Sequence, residues 1–295
     1  MQKIVAIVGP TASGKSDLAV DLALQFNGEV ISADSRQVYR GLNIGTGKVT
    51  KKEMRGVSHH LLDIASPTRV FSVAQFKKHA DQAIARMRKT KKLPILCGGT
   101  GFYIRAVTDG LDLPPVKANT VLRKKLSRLS AQEMYELLQK KDPERAMSID
   151  SHNPHRLIRA LEIVEQLGSV PKLKTSSPYD TLFIGIEVPN DVLLLRIHER
   201  LQKRIRQGML REVEHLHKEG LSWKRMEDLG LEYRHVARYL QKKITRTEML
   251  DQLEKEIFQY AKRQYTWFRK NKHVQWITIG DTKIPKELVS NFLSP

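Results

Sequence analysis

The octapeptide Gly9-Pro10-Thr11-Ala12-Ser13-Gly14-Lys15-Ser16 has the residue types and spacing of a phosphate cradle. Glycines let backbone N–H groups turn inward around phosphate oxygens, and a helix starting where the loop ends adds positive potential. Lys15 brings a full charge to a terminal phosphate, and the Ser16 hydroxyl can help hold a Mg²⁺ that bridges phosphate oxygens. The loop follows the apolar run Ile4-Val5-Ala6-Ile7-Val8 and precedes the apolar pairs Leu18-Ala19 and Leu22-Ala23. That is the strand, loop and helix order in which the motif works, so the chain is expected to bind a di- or triphosphate group.

Many P-loop hydrolases and kinases add an acid at the end of a second strand to hold the magnesium shell. Here that strand, Pro94-Ile95-Leu96-Cys97, runs into Gly98-Gly99-Thr100-Gly101 with no carboxylate. Thr100 can hydrogen-bond a phosphate oxygen but cannot replace a charged ligand. The acid sits instead at Asp34, after Glu29-Val30-Ile31-Ser32-Ala33, where it suits a general base acting on an incoming nucleophile. Asp also favours turns, and a simple bend at Ser35-Arg36 is the plainer reading of Asp34.

The elements that must position these groups alternate. Short apolar strands and a helix from about Val73 to Arg88 predict a parallel sheet with helices on both faces. Sites in such sheets gather at the carboxyl ends of the strands, where the P-loop, Asp34 and Thr100 all fall. Pro114-Pro115 breaks the alternation, and from Val116 to about Leu167 the pattern is helical. After the Ser, Pro and Lys-rich stretch 168–179, a strand returns at Leu182-Phe183-Ile184-Gly185-Ile186, and a last one is expected at Val274 to Ile279. The fold class read from this is α/β: a P-loop parallel-sheet core with an inserted all-helical domain. The core would occupy 1–114 and 179–295 and the insert 115–178.

With 295 residues the chain has ample length for a buried core. No apolar run approaches the roughly 20 residues that span a bilayer, and a single cysteine, Cys97, excludes an internal disulfide. A cytoplasmic monomer with no membrane partner is expected. The 51 Lys and Arg against 32 Asp and Glu give a net charge of +19, the footprint of a polyanion-binding surface. The excess is dispersed, +9 over 1–110, +4 over 111–179 and +6 over 180–295, so a polyanion would lie across more than one part of the fold. His59-His60 has no partner at metal-ligand spacing.

The P-loop together with Ile31-Ser32-Ala33-Asp34-Ser35-Arg36-Gln37-Val38-Tyr39, Gly45-Thr46-Gly47-Lys48 and His60-Leu61-Leu62-Asp63 resembles the tRNA dimethylallyltransferase (tRNA isopentenyltransferase) family, bacterial type. Gly98-Gly99-Thr100, Asn153-Pro154-His155-Arg156-Leu157, Gly230-Leu231-Glu232-Tyr233-Arg234 and the run Ala261 to Arg269 extend the likeness essentially from end to end. The resemblance implies transfer of a five-carbon allyl group from dimethylallyl diphosphate to the exocyclic amine of the adenosine 3′ of the anticodon in tRNA. It implies that Gly9, Pro10, Thr11, Ala12, Ser13, Gly14, Lys15 and Ser16 hold the diphosphate with Mg²⁺. Asp34 would take the amine proton, Thr100 would lie in the reaction channel, and Arg200 would reach the diphosphate beside Lys15.

For the tRNA anticodon stem-loop the resemblance implies contacts from Asp34, Ser35, Arg36, Gln37, Thr100, Arg123, His155, Arg156, Leu157, Ile158 and Arg159. It adds Leu229, Gly230, Leu231, Glu232, Tyr233 and Arg234, then Lys262, Arg263, Gln264, Tyr265, Thr266, Trp267, Phe268 and Arg269. Taken alone, 262–269 reads as a helix with Tyr265 and Phe268 in the core and its cations solvated, and Arg123-Lys124-Lys125 as a solvated helix face. Three other functions stay in view: a small-molecule kinase, an isopentenyltransferase for free adenine nucleotides, and a non-catalytic RNA-binding protein. Intact Lys15, Ser16 and Asp34 argue against the last, and the helical insert and basic C-terminal third favour tRNA over a free nucleotide.

Overall fold

A computed structural model describes residues 1–294. Among them six strands form one all-parallel sheet: β1 Gln2–Val8, β2 Gly28–Ser32, β3 His59–His60, β4 Leu93–Cys97, β5 Tyr179–Glu187 and β6 Val274–Thr278. Their order is β3-β2-β4-β1-β5-β6. Continuous aliphatic runs suit strands covered on both faces, and Ile4 to Val8 and all of β4 are buried. From β1 the chain first builds toward β2 and β3, inserts β4, then crosses to β5 on the other side. The crevice for a ligand therefore opens beyond the carboxyl end of β1.

The chain divides into two compact units, Met1–Gly110 with Ser177–Pro295, and Leu111–Ser176. Between the strands of the first unit run α1 Lys15–Gln25, α2 Lys51–Met54, α3 Val73–Lys89 and α4 Gly101–Thr108. The second unit holds α5 Thr120–Leu126, α6 Ala131–Lys141, α7 Pro143–Ser148 and α8 Pro154–Leu167 around Leu126, Met134, Leu138, Leu157 and Leu161. Ser130, Asp142 and Asn153 each accept a backbone N–H three residues on, starting α6, α7 and α8 in turn. The helical pattern thus begins at Thr120 rather than Val116, and it is cut into four helices by these caps.

The first unit resumes with α9 Asn190–Arg206, α10 Met209–Lys218, α11 Trp223–Leu229, α12 Leu231–Leu240, α13 Arg246–Arg269 and α14 Ile284–Leu293. On one face of the sheet α3 and α4 pack Phe76, Ile84, Met87 and Ile104, with the Phe76 and Tyr103 rings stacked at 4.0 Å. On the other face α1, α9, α10, α12 and α13 bring Leu22, Ile197, Val213, Val236 and Leu253. No helix among the described residues is long and apolar enough to cross a membrane.

Candidate active site at the carboxyl edge of the sheet

Beyond β1, the loop 9–16 wraps into the start of α1. Gly14 caps that helix at φ 88°, and Ala12 also holds a left-handed backbone at φ 62°, strained for a residue with a side chain. Such alternation turns successive N–H groups to one side, the geometry of an anion nest. The Lys15 Nζ lies over its own loop, donating to the Pro10 carbonyl, with the Ser13 Oγ at 3.4 Å. Ser13 is buried and Ser16 is exposed on the cleft.

At the end of β2, Asp34 does two things. Its Oδ1 accepts the N–H of Arg36 at 2.8 Å and of Gln37 at 3.3 Å, the turn that Asp favours. Its Oδ2 has no hydrogen-bond partner among the described residues, and Asp34 lines the same cleft as Lys15. At the end of β4, Thr100 Oγ1 accepts the N–H of Ser35 at 3.0 Å, and its own N–H donates to Ala33 at 3.2 Å. The three strand-end segments are therefore joined at one edge, as their positions in the sequence required.

The far wall comes from 150 residues and more downstream. Along α9, Arg196, Arg200 and Lys203 share one face and line the cleft. Arg196 Nε donates to Ala12 O of the P-loop at 2.7 Å, and Arg200 Nη2 to Gly47 O at 3.4 Å. The segment 43–47 is held by one carboxylate: Glu212 accepts the N–H groups of Asn43, Ile44 and Gly45 at 2.7–3.0 Å and the Tyr233 hydroxyl at 2.8 Å. From this segment Thr46 and Gly47 reach the cleft, which Tyr260 and Gln264 of α13 close, enclosing about 460 Å³. That volume suits a small-molecule ligand.

Charge in this cleft is poorly solvated. Burial pushes the Lys15 ammonium down to about 8, with Arg200 acting in the same direction and Asp34 against it. Burial also lowers Arg200 to about 10, helped by the neighbouring Arg204. Two half-buried cations that lower each other's charge stability favour an anion between them. Burial lifts the Cys97 thiol to about 12, so it is a poor nucleophile.

Other positions singled out in the sequence divide by burial. Leu157, Leu229, Tyr233 and Phe268 are buried in their cores, and Gln264 is buried where it borders the cleft, so in this structure little of these five side chains is open to an RNA. The helical phase that exposes Lys262, Arg263, Thr266, Trp267 and Arg269 buries Ala261, Gln264 and Phe268. Tyr265 is half-buried rather than core, its hydroxyl donating to Glu187, which also pairs with Arg269 at 3.0 Å. Glu232 holds Arg204 at 2.9 Å, and Arg234 faces Glu227 and Glu256. Gly230 and Leu231 are half-exposed, and the Arg36 guanidinium reaches the neighbouring Asp228 O at 3.4 Å.

In the second unit His155 and Arg156 are exposed, Ile158 is half-buried, and Arg159 meets Glu162 at 3.3 Å. Arg123 is no freely solvated cation: its Nε and Nη2 each bond the fully buried Glu162 at 2.7 Å. Burial alone would raise the Glu162 carboxyl, but these bonds and the Asn119 N–H hold it below the usual range.

Sequence reasoning missed Arg196, Lys203, Thr46, Gly47 and Tyr260 as cleft residues. The basic stripe at 196, 200 and 203 was a readable signal for the first two, since that spacing puts them on one helix face. Nothing local marks Tyr260.

A sequence model of the IPP transferase family matches residues 37–271. The tRNA dimethylallyltransferase of Halalkalibacterium halodurans is 39% identical, covering 99% of this chain and 97% of its own length. The tRNA dimethylallyltransferase 2 of Treponema denticola is 44% identical, covering 90% and 91%. Among solved structures, the full-length tRNA isopentenylpyrophosphate transferase of Bacillus halodurans matches with a TM-score of 0.74 at 39% identity, over 99% of this chain and 96% of that one. A eukaryotic dimethylallyltransferase acting on tRNA shares the fold, with a TM-score of 0.82 at 24% identity over 99% of this chain and 77% of its own. Relatives this similar over nearly the whole length, carrying the family match through the α9 and α13 walls of the cleft, make the chain a member of the IPP transferase family.

Proposed function

We propose that the protein transfers the dimethylallyl group of dimethylallyl diphosphate to the exocyclic amine of the adenosine 3′-adjacent to the anticodon in tRNA, releasing diphosphate. One observation carries the reading: the P-loop cation Lys15 and the α9 cation Arg200, both poorly solvated, share a cleft with a carboxylate that keeps one oxygen free. The allylic C–O bond breaks as diphosphate leaves with its electron pair, and Lys15 and Arg200 offset the developing charge. The amine nitrogen bonds the allylic carbon, and Asp34 Oδ2 takes the proton it sheds. Thr100, tied to Ser35, keeps the segment bearing Asp34 in register with the end of β4.

Mg²⁺ fits the donors present. It needs few protein ligands where phosphates and water supply the rest, and the exposed Ser16 hydroxyl is a hard oxygen beside Lys15 on the cleft. No cluster of three metal-ligating side chains occurs among the described residues, so a dedicated protein cage is not the arrangement. Ser16 would hold the ion, which when bound adds neutralising charge to the diphosphate.

The RNA would meet Lys262, Arg263, Thr266 and Trp267 on the outer face of α13, and Arg36 beside Gly230. Exposed cations with an interleaved aromatic suit a splayed loop, whose target base must leave its stack to enter the cleft. Incubation with labelled dimethylallyl diphosphate and either tRNA or AMP tests the reading. Label is expected in tRNA and not in AMP; label in AMP alone, or phosphate transfer from ATP to a metabolite, would overturn it.

A further inference from the structure

Gln264 sits on the buried face of α13 with Ile257, Ala261 and Phe268, at the spacing where an apolar residue would be ordinary. A buried amide is costly unless both ends are bonded, and here both are. Oε1 accepts the N–H of Thr11 in the P-loop at 2.8 Å, and Nε2 donates to Gly99 O at the end of β4 at 3.0 Å. Gly99 leaves the room this requires, since a Cβ there would collide with Nε2. Next to Gly99, Thr100 takes the Ser35 N–H beside Asp34. One amide thus links the loop on the leaving-group side to the segment carrying the base.

We infer that Gln264 is a positioning residue that fixes the P-loop against the end of β4, and so sets where the diphosphate lies relative to Asp34. The inference rests on the reading of loop 9–16 as the diphosphate cradle. By engaging Thr11 it directs that N–H away from the ligand and leaves those at the start of α1 to face it. Its delivery by α13 depends on where that helix begins, which Thr245 and Glu248 fix by a reciprocal capping box at 3.2 and 2.7 Å.

The test compares Gln264→Met, which keeps the length and loses both bonds, with Gln264→Glu. Inorganic diphosphate is titrated against each variant by calorimetry, and an anticodon stem-loop RNA by filter retention. Gln264→Met should bind diphosphate about tenfold or more weakly, the scale of a buried N–H left unpaired, with RNA affinity within about twofold of wild type. In Gln264→Glu the ionised carboxylate would face the Gly99 carbonyl oxygen and repel it. Once protonated, the same carboxyl group can donate to Gly99 and accept from Thr11 as the amide does.

Affinity of Gln264→Glu relative to wild type should therefore recover as the pH is lowered from about 8 to about 6. A folded Gln264→Met protein with unchanged diphosphate affinity would overturn the inference. So would a Gln264→Glu protein whose ratio to wild type is flat with pH, and this decides the matter if the Met variant fails to fold. Wild type that does not bind diphosphate would instead overturn the cradle reading beneath it.

Discussion

Raising the pH from about 7 to about 9 should weaken diphosphate binding about tenfold, because Lys15 loses its proton near 8 in the empty cleft. The bound anion holds Lys15 charged, so at pH 9 most molecules must take up a proton in order to bind. The uptake should approach roughly nine-tenths of a proton per diphosphate, against roughly a tenth at pH 7. The titrant is dimethylallyl diphosphate rather than inorganic diphosphate, because the ester's terminal phosphate has its last pKa near 6 and its ionisation is complete over the upper part of this range. Calorimetric titration in buffers of different ionisation heat reads affinity and proton uptake together.

Lys15→Met should bind weakly and show neither effect. Stability of the ligand-free protein should move the other way. The folded pKa lies below the unfolded 10.5, so wild type should gain stability relative to Lys15→Met as pH rises from about 8 to 10.5. Equal affinity and no proton uptake at pH 9 would refute the claim that Lys15 is a desolvated cation waiting for an anion.

Asp34→Asn keeps the turn acceptor and should lower turnover by about 10²- to 10⁴-fold with both substrates still bound; near wild-type turnover at saturation would remove Asp34 from the reaction. Gly99→Ala brings a methyl group against Gln264 and should reproduce the loss of diphosphate affinity seen with Gln264→Met, measured by the same titration. Glu162→Ala strips Arg123 and Arg159 of their shared partner and should cost about 1–3 kcal/mol in the second unit, read by urea denaturation, without changing diphosphate affinity. Affinity for tRNA should fall steeply with salt, since cations on phosphates release counterions; a flat salt dependence in filter retention would show that the net charge of +19 is not used on RNA.

Much of the leaving-group side of the cleft was legible because it is local: a glycine loop between an aliphatic strand and a helix, and two further strand ends carrying Asp34 and Thr100. A parallel sheet brings such ends to one edge whatever the detailed packing. The opposite wall was only partly legible. Arg200 was expected through the resemblance, and the 196, 200, 203 spacing marks one basic helix face, but Tyr260 arrives on a helix far along the chain with no local sign of it. The two-residue β3 is too short to show a period, and pairing with β2 alone defines it. Burial within 262–269 was readable, since Ile257, Ala261, Gln264 and Phe268 follow one helix face; Gln264 was expected at the RNA instead, because its polarity masked its place in that series.

The most direct test is to treat tRNA with isotope-labelled dimethylallyl diphosphate, digest it to nucleosides, and identify the labelled product by mass spectrometry while measuring released diphosphate. One dimethylallyl group, a net gain of C5H8, is expected on the exocyclic nitrogen of the adenosine 3′ of the anticodon, with one diphosphate released per group transferred. Diphosphate released while the RNA stays unlabelled, or label on any other atom, would contradict it.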